Sequence, residues 1–231
     1  MLEELKKTVY EANMRLKNEG LVVLTWGNAS AFDAESGLVV IKPSGVDYAT
    51  LSPGDMVVVD LEGNVVEGRY RPSSDTPTHV AVYRAFKGVG GVVHTHSPEA
   101  TAWAQACREI PCYGTTHADC FHGAVPLARF LTEEEIAADY EGNTGKAIVE
   151  RFAGFDPFER PGVLVSGHGP FTWGKTAMKA VDNAVSLEEI AKMARLTEEL
   201  RAHVPGREVP AYVSEKHFLR KHGPGAYYGQ A

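Results

Sequence analysis

Cysteine is scarce in this chain. Its 231 residues include three, Cys107, Cys112 and Cys120, an odd number that cannot form the disulfide framework of a small secreted domain. Long apolar runs are missing too: nothing approaches the roughly 18 consecutive apolar residues of a membrane helix. The amino end, MLEELKKTVYEANMRLKNEG, is too charged to hold a signal peptide's apolar core. Positive charge is in deficit, with 23 Lys and Arg against 30 Asp and Glu for a net charge of -7, which speaks against non-specific binding of nucleic acid. A locally positive pocket for an anionic substrate stays compatible with that balance. No linker, internal repeat or low-complexity tract interrupts the sequence. What is present, 44% hydrophobic and 23% charged residues, is the composition of an ordinary globular protein. The expectation is a cytoplasmic enzyme built as one domain over residues 1–231, with neither a membrane nor a nucleic-acid partner.

Apolar residues Leu2, Leu5, Val9, Ala12 and Leu16 recur at helical spacing, and Gly20 closes that helix. Strand-like runs follow: LVVLT from Leu21, GLVVIK from Gly37 and DMVVVDL from Asp55, the last turning through Glu62-Gly63-Asn64 into VVEG as a hairpin. A helix is expected from Pro77 to about Phe86 with Thr76 as its N-cap, then a strand in GGVVHTHS, then a helix opened by Ser97-Pro98-Glu99. Thr132 and Glu135 form a capping box for another. GVLVS from Gly162 and FTW from Phe171 read as strands. A long helix from about Lys175 to Leu200 and a shorter one ending near Gly223 complete the chain. The mixture of hairpins and helices predicts an α/β domain whose central, largely antiparallel sheet is covered by helices on both faces.

Two histidines one residue apart, His94 and His96, carry the strongest chemical signal. Side chains alternate along a strand, so residues i and i+2 share a face and both imidazoles can converge on one cation at the strand's end. Neutral imidazole suits zinc and its neighbours, and a catalytic zinc takes three protein ligands plus an open position. His168, flanked by glycines in VLVSGHGPFTWG, is the candidate third nitrogen ligand. Asp75, in RPSSDTPTH, has two readings: a further ligand, or an acidic residue favouring the positive end of the helix behind it. His79, inside that helix, reads as packed or hydrogen-bonded. A rival cluster of Cys112, His117, Cys120 and His122 lacks the short CxxC elements of a structural zinc knuckle. His203 lies in a charged stretch and reads as a surface residue.

Three small-residue loops are candidates for holding an anion: Trp26-Gly27-Asn28-Ala29-Ser30, Lys42-Pro43-Ser44-Gly45, and Ser73-Ser74 ahead of the Pro77 helix. Backbone N–H groups at a helix start beside serine hydroxyls form an anion site, and Lys42 adds a point charge. With one loop adjoining Asp75, a phosphorylated substrate is the expectation.

The ordered set WGNAS, KPSGVDY, PSSDTPTH, GGVVHTHS, GTTHAD, SGHGPFTWG and the tail KHFLRKHGPGAYYGQ resembles the class II aldolase and epimerase family over essentially the whole chain. The resemblance implies a class II aldolase-like three-layer αβα fold. It implies a zinc-dependent enzyme, with one Zn2+ per subunit and other divalent metals able to replace it, that interconverts L-ribulose 5-phosphate and D-xylulose 5-phosphate in pentose breakdown such as arabinose catabolism. By the same analogy Asp75, His94, His96 and His168 hold the metal, and Gly27, Asn28, Ser44, Gly45, Ser73 and Ser74 bind the substrate phosphate. Asp119 and Tyr228 match the acid/base residues, which meet across a subunit boundary in a cyclic homotetramer. The implied route is retro-aldol cleavage between carbons 3 and 4, rotation of glycolaldehyde phosphate, and aldol re-addition. Aldolases of this family carry glutamate where this chain has Asp75, and the shorter aspartate is an epimerase trait. Two departures stand out, Cys120-Phe121-His122-Gly123 after Asp119 and Ser166-Gly167 before His168; His122 is placed to perturb Asp119. The rival readings are a class II aldolase acting on a deoxy-ketose such as L-fuculose 1-phosphate, and a non-catalytic metal or sugar-phosphate binding protein, which needs neither Asp119 nor Tyr228.

Overall fold

Alternation inside the valine-rich runs decides the architecture. Val40, Val58 and Val93 pack into one apolar cluster, while Val39, Val57, Val59 and Val92 pack into another on the opposite face. Strands apolar on both faces need a helical layer on each side. The structure, a computed structural model, describes residues 2–203 and 206–228. Its strands are β1 (Asn28–Asp33), β2 (Leu38–Ile41), β3 (Val57–Val59), β4 (Val65–Glu67), β5 (Gly91–His94), β6 (Leu127–Ala128), β7 (Gly162–Val165) and β8 (Gly169–Gly174). They form one sheet in the order β4-β3-β2-β1-β5-β8-β7-β6, antiparallel throughout except for the parallel β6–β7 pair.

Helices α1 (Glu3–Asn18), α3 (Pro98–Gln105) and α6 (Ala177–Arg201) cover one face. Helices α2 (Thr76–Ala85) and α5 (Glu133–Arg151) cover the other, over a cluster that includes Phe86, Phe152 and Trp173. Two further helices, α4 (Thr115–Ala118) and α7 (Ala211–His222), pack on each other. The expected αβα layering and antiparallel sheet are therefore observed. Among the described residues no helix is long and apolar enough to cross a membrane.

Local expectations differ in several places. LVVLT is not a strand: Leu21 is buried, but Leu24 is 71% exposed and left-handed at φ 55°, so this run has no sheet partner. The first strand instead starts at Asn28, within the segment read as an anion loop. The histidine strand stops at His94, leaving His96 beyond it. The N-cap of α2 is Asp75, one residue before the expected Thr76. Helix α4 and strand β6 had no periodicity to announce them, being only four and two residues long.

Two contacts fix the layers to β1 and β5. Asn13 of α1 is buried; its Nδ2 donates to the Ala29 carbonyl at 3.0 Å and its Oδ1 accepts from Ala29 N–H at 2.9 Å, pinning the helix beside Asn28. The start of α6 lies directly on the glycine pair that opens β5. A Cβ on Gly91 would stand 2.4 Å from Ala177 Cα and 2.5 Å from the Thr176 carbonyl carbon, both backbone atoms with no rotamer to escape into. Gly91→Ala is therefore expected to cost about 3 kcal/mol of stability, a fall of roughly 6–12 °C in melting temperature for a chain of this size. Thermal denaturation by circular dichroism checks this, and an unchanged midpoint contradicts it.

Candidate active site

Strand β5 and the β7–β8 turn bring three imidazoles together. His94, the last residue of β5, lies between Asn28 of β1 and Phe171 of β8 in the sheet register. Its Nδ1–H donates to the Pro170 carbonyl at 2.9 Å, which leaves Nε2 bare, and its ring stacks on Phe171 with centroids 4.1 Å apart. A bond of this kind fixes the tautomer and direction of a metal-ligating histidine. His96 brings its Nε2 to 3.1 Å from that of His94. His168 sits in the β7–β8 turn, where Gly167 adopts φ 70° and the Cβ that Gly169 lacks would lie 2.8 Å from the Thr95 carbonyl oxygen. The turn thus comes close enough to carry His168 to the other two.

The ligand atoms of His94, His96 and His168 all lie within 4.8 Å of one another. Two nitrogens sharing a tetrahedral zinc at bonds of about 2.05 Å would stand about 3.3 Å apart, close to the His94–His96 separation. Burial drives His168 down to about 4, reinforced by His94 and His96, and burial with the adjacent His94 pushes His96 below its ordinary value. Both rings are consequently neutral at neutral pH, the form that binds a cation. The donor chemistry, the spacing and the oriented His94 fit a divalent metal. No other such cluster of three ligands occurs among the described residues.

Asp75 borders the same cavity but stands outside the three-histidine group. Although it occupies the N-cap of α2, its carboxylate makes no cap bond. Oδ2 instead accepts from Asn28 Nδ2 at 2.6 Å and from Ser73 Oγ at 3.4 Å. Burial alone would raise its pKa, but His94, His79 and the Asn28 amide outweigh that and hold the carboxyl below its usual range. The reading of Asp75 as no more than a helix-start residue is therefore at odds with where its carboxylate points.

The expected anion loops line that cavity, of about 560 Å³, together with the three histidines: Gly27, Asn28, Lys42, Ser44, Gly45, Ser73 and Ser74 are all on its wall. Strand-like bonds zip two of the loops together, Ser44 N–H to the Arg71 carbonyl and Ser73 N–H to that of Lys42, both 3.0 Å. Asn28 Nδ2 ties in the third by donating to Ser73 Oγ at 2.9 Å. Gly27 needs to be glycine, with φ 74° and the His94 carbonyl oxygen 2.9 Å from where a Cβ would lie. Lys42 is buried with its Nζ 4.7 Å over the Tyr48 ring, and burial lowers its pKa to about 8. Tyr48 in turn donates to the Gly27 carbonyl at 3.0 Å.

Asp119 and Tyr228 line none of this cavity. Asp119 caps the end of α4, and its carboxylate faces α7; Tyr228 is 57% exposed, beside that helix's last turn. Within one chain the proposed metal and phosphate residues come together and the proposed acid/base pair stays apart from them. Gly229 and Gln230 of the tail motif lie outside the described residues.

Tyr140 and Glu141 also line the cavity and were not anticipated. Tyr140 Oη lies 3.4 Å from His168 Nδ1. A break in α5 at Asp139 (φ -167°, ψ 91°) delivers both residues. Asp139 Oδ1 accepts from Gly142 N–H there at 3.1 Å, so an Asp followed three residues later by Gly inside a helical stretch was the available signal. The rival cysteine–histidine cluster forms no site: His117 Nε2–H donates to the Gly123 carbonyl at 2.7 Å, and His122 bridges Glu159 and Glu215. His79 is buried with Nδ1 at 2.8 Å from Ser30 Oγ, and His203 is exposed.

Comparison with known proteins agrees with this geometry. The family model for the class II aldolase and adducin N-terminal domain matches residues 7–195. L-ribulose-5-phosphate 4-epimerase UlaF of Salmonella typhi and that of Salmonella paratyphi A are each 57% identical over 230 residues, covering 99% of this chain and all of theirs. Among solved structures, an L-fuculose 1-phosphate aldolase superposes with a TM-score of 0.76 at 27% identity, covering 93% of this chain and 94% of its own. The L-fuculose-1-phosphate aldolase of Thermus thermophilus does so at 0.68 and 25% identity, covering 88% and 98%. The family-model match over residues 7–195, with relatives 57% identical over 99% of the chain, makes this chain a member of the class II aldolase family.

Proposed function

We propose that this protein is a zinc-dependent epimerase that interconverts L-ribulose 5-phosphate and D-xylulose 5-phosphate and works as a cyclic homotetramer. One observation carries the reading: a single cavity holds both three convergent imidazoles and the Lys42, Ser44, Ser73 and Ser74 wall suited to a phosphate. The identity to the UlaF epimerases supports the choice of substrate. A divalent cation on His94, His96, His168 and Asp75 supplies Lewis-acid stabilisation of the negative charge that carbon–carbon cleavage places on the ketose oxygens.

Inversion at carbon 4 cannot begin by removing its hydrogen, because no carbonyl is adjacent to that carbon. Removal of the carbon 4 hydroxyl proton instead lets the carbon 3–carbon 4 bond break, giving the enediolate of dihydroxyacetone and glycolaldehyde phosphate. Asn28, Lys42 and the serine loops hold the phosphate so that the aldehyde turns without leaving. Re-addition to its opposite face and return of a proton to the new alkoxide complete the epimer. The proton leaves on one side and returns on the other, which suits two groups, Asp119 as carboxylate and Tyr228 as phenol. Neither lies in its own chain's cavity, so a second copy is their source. Exposed apolar residues fit such an assembly on both partners: Val23, Leu24 and Trp26 lead into the cavity wall, and Tyr212, Leu219 and Tyr227 flank the α7 tail.

The aldolase structures favour a second reading, cleavage of a phosphorylated deoxy-ketose, because the fold is shared. An assay on L-ribulose 5-phosphate separates the two. Epimer formation without accumulating aldehyde, abolished by a chelator and restored by zinc, is expected; steady aldehyde release from L-fuculose 1-phosphate with no epimer overturns the proposal.

Shared sites have a mixing test. Tyr228→Phe and His96→Asn are each expected to lose at least about 100-fold in kcat. Refolded together in equal amounts, they should recover about a quarter of wild-type activity, the share of sites pairing an intact cavity with an intact tail in a random cyclic assembly. No recovery would place the whole site within one chain.

Lys42 sets an alkaline limit. With its pKa lowered to about 8, it is cationic below that pH and neutral above it, while the substrate phosphate is already dianionic. kcat/KM is therefore expected to fall above about pH 8, toward tenfold per unit, as the free enzyme loses its phosphate-binding charge. A flat profile up to about pH 9.5 would exclude Lys42 as that charge.

A further inference from the structure

Arg220, in the last turn of α7, touches both groups assigned above to proton transfer. Its Nε and Nη2 donate to Asp119 Oδ1 and Oδ2 at 3.0 and 2.6 Å, a two-pronged grip. Its peptide carbonyl accepts from the N–H groups of Tyr227 and Tyr228 at 3.0 and 3.2 Å, folding the tail back over the helix end. Its guanidinium carbon lies 4.7 Å from the Tyr228 ring centroid. One residue thus holds a carboxylate with its side chain and the Tyr228 backbone with its carbonyl, and sets its guanidinium beside the Tyr228 ring. A lysine at this position keeps the charge but cannot make the paired, planar contact.

We propose that Arg220 is the positioning residue of the acid–base pair, locking Asp119 and the Tyr228 backbone into one rigid unit that α7 presents to the metal cavity of a neighbouring copy. The inference rests on the acid–base reading of Asp119 and Tyr228. It gives the arginine a task that neither a surface ion pair nor a helix cap requires: fixing the relation between two proton-transfer groups far apart in sequence, which proximity effects reward steeply.

The electrostatics agree with the geometry. Burial alone would raise the Asp119 pKa, but Arg220 and His217, with Lys221 at 3.7 Å, outweigh it and hold the carboxyl below its usual range. His222 meets the Asp119 carbonyl at 2.9 Å. The cavity that Asp119 lines also has Asp156 and Glu159 and the three lysines Lys175, Lys179 and Lys221 on its wall. Of the cationic groups around Asp119, Arg220 is the one that grips both carboxylate oxygens.

The test uses the full-length, metal-loaded protein and the variants Arg220→Lys and Arg220→Gln, with Asp119→Asn and Tyr228→Phe in parallel. Metal content, melting temperature, KM and kcat for L-ribulose 5-phosphate are measured from about pH 3 to about pH 9, a window that reaches down through the ordinary carboxylate range. Arg220→Lys is expected to keep metal content, melting temperature and KM while losing about tenfold or more in kcat. The acidic limb of its kcat/KM profile should move to higher pH as Asp119 loses its paired donors. Arg220→Gln should move it further. If the limb does not move, the proposal is overturned, whatever happens to kcat; a fall in melting temperature with an unmoved limb would assign Arg220 a structural role only. Full activity in Asp119→Asn or Tyr228→Phe would instead bring down the acid–base reading beneath it. Inactive Asp119→Asn beside an unaffected Arg220→Lys would remove the positioning role alone.

Discussion

The row Asn28–His94–Phe171 across β1, β5 and β8 is the constraint on which the site depends. Paired residues on adjacent antiparallel strands share a face, so this register sets an amide that reaches the serine loop beside one of the three convergent imidazoles, and a ring to stack under that imidazole. The same register puts Pro170 where its carbonyl can take the His94 Nδ1 proton. A slip of one residue would turn His94 toward α6 and carry Val93 into the cavity. The glycines at 90 and 91 and the seat of α6 upon them hold β5 in that alignment. The orientation of His94 and the tie from Asn28 to the serine loop are therefore consequences of one strand pairing.

Much of the site is legible in the sequence. HTH at the end of an apolar run, a glycine-flanked histidine and three small-residue loops each carry a local physical rule, and the structure gathers all of them on one cavity wall. Local rules failed where tertiary context overrode them. LVVLT has every strand-forming residue, yet it lies between a helix end and Gly27, with no edge left to join because β1 pairs with β2 and β5. Tyr140 and Glu141 were invisible because a break within α5 delivers them, and a helical pattern says nothing about which turn is bent. Asn13, whose bonds set the height of α1 against β1, looked like any polar residue on a helix.

Asp75 shows how a function can be traced through a forgone interaction. An aspartate at an N-cap ordinarily bonds the free N–H groups of the first turn, worth about 1 kcal/mol. Here the carboxylate turns away to Asn28 and Ser73, and no side chain caps the first-turn N–H groups; the Thr76 hydroxyl donates to the Ser73 carbonyl at 2.6 Å. The helix still contributes, since its positive end lies behind a half-buried carboxylate that faces neighbouring histidines. Three imidazoles with one carboxylate beside them, if they hold a divalent cation as proposed, would offset part of its charge while leaving it electrophilic, the balance a Lewis acid requires.

The distance of Asp119 and Tyr228, the proposed acid–base pair, from the cavity has a physical logic of its own. Asn28 and His94 sit on strands whose backbone is fixed by pairing on either side, and His96 and His168 lie just beyond strand ends. Asp119 and Tyr228 ride on α4, α7 and the tail, elements joined to one another by ion pairs and aromatic contacts. His122, stacked on Phe218 at 4.6 Å between Glu159 and Glu215, adds a further tie between that unit and the body. Its pKa is raised, chiefly by Glu159, so the tie is strongest below the ordinary imidazole range and weakens as pH climbs through the raised value. At this histidine α7 is attached to the body of its own chain by charge, while Arg220 holds Asp119 by paired donors and the sheet register holds His94.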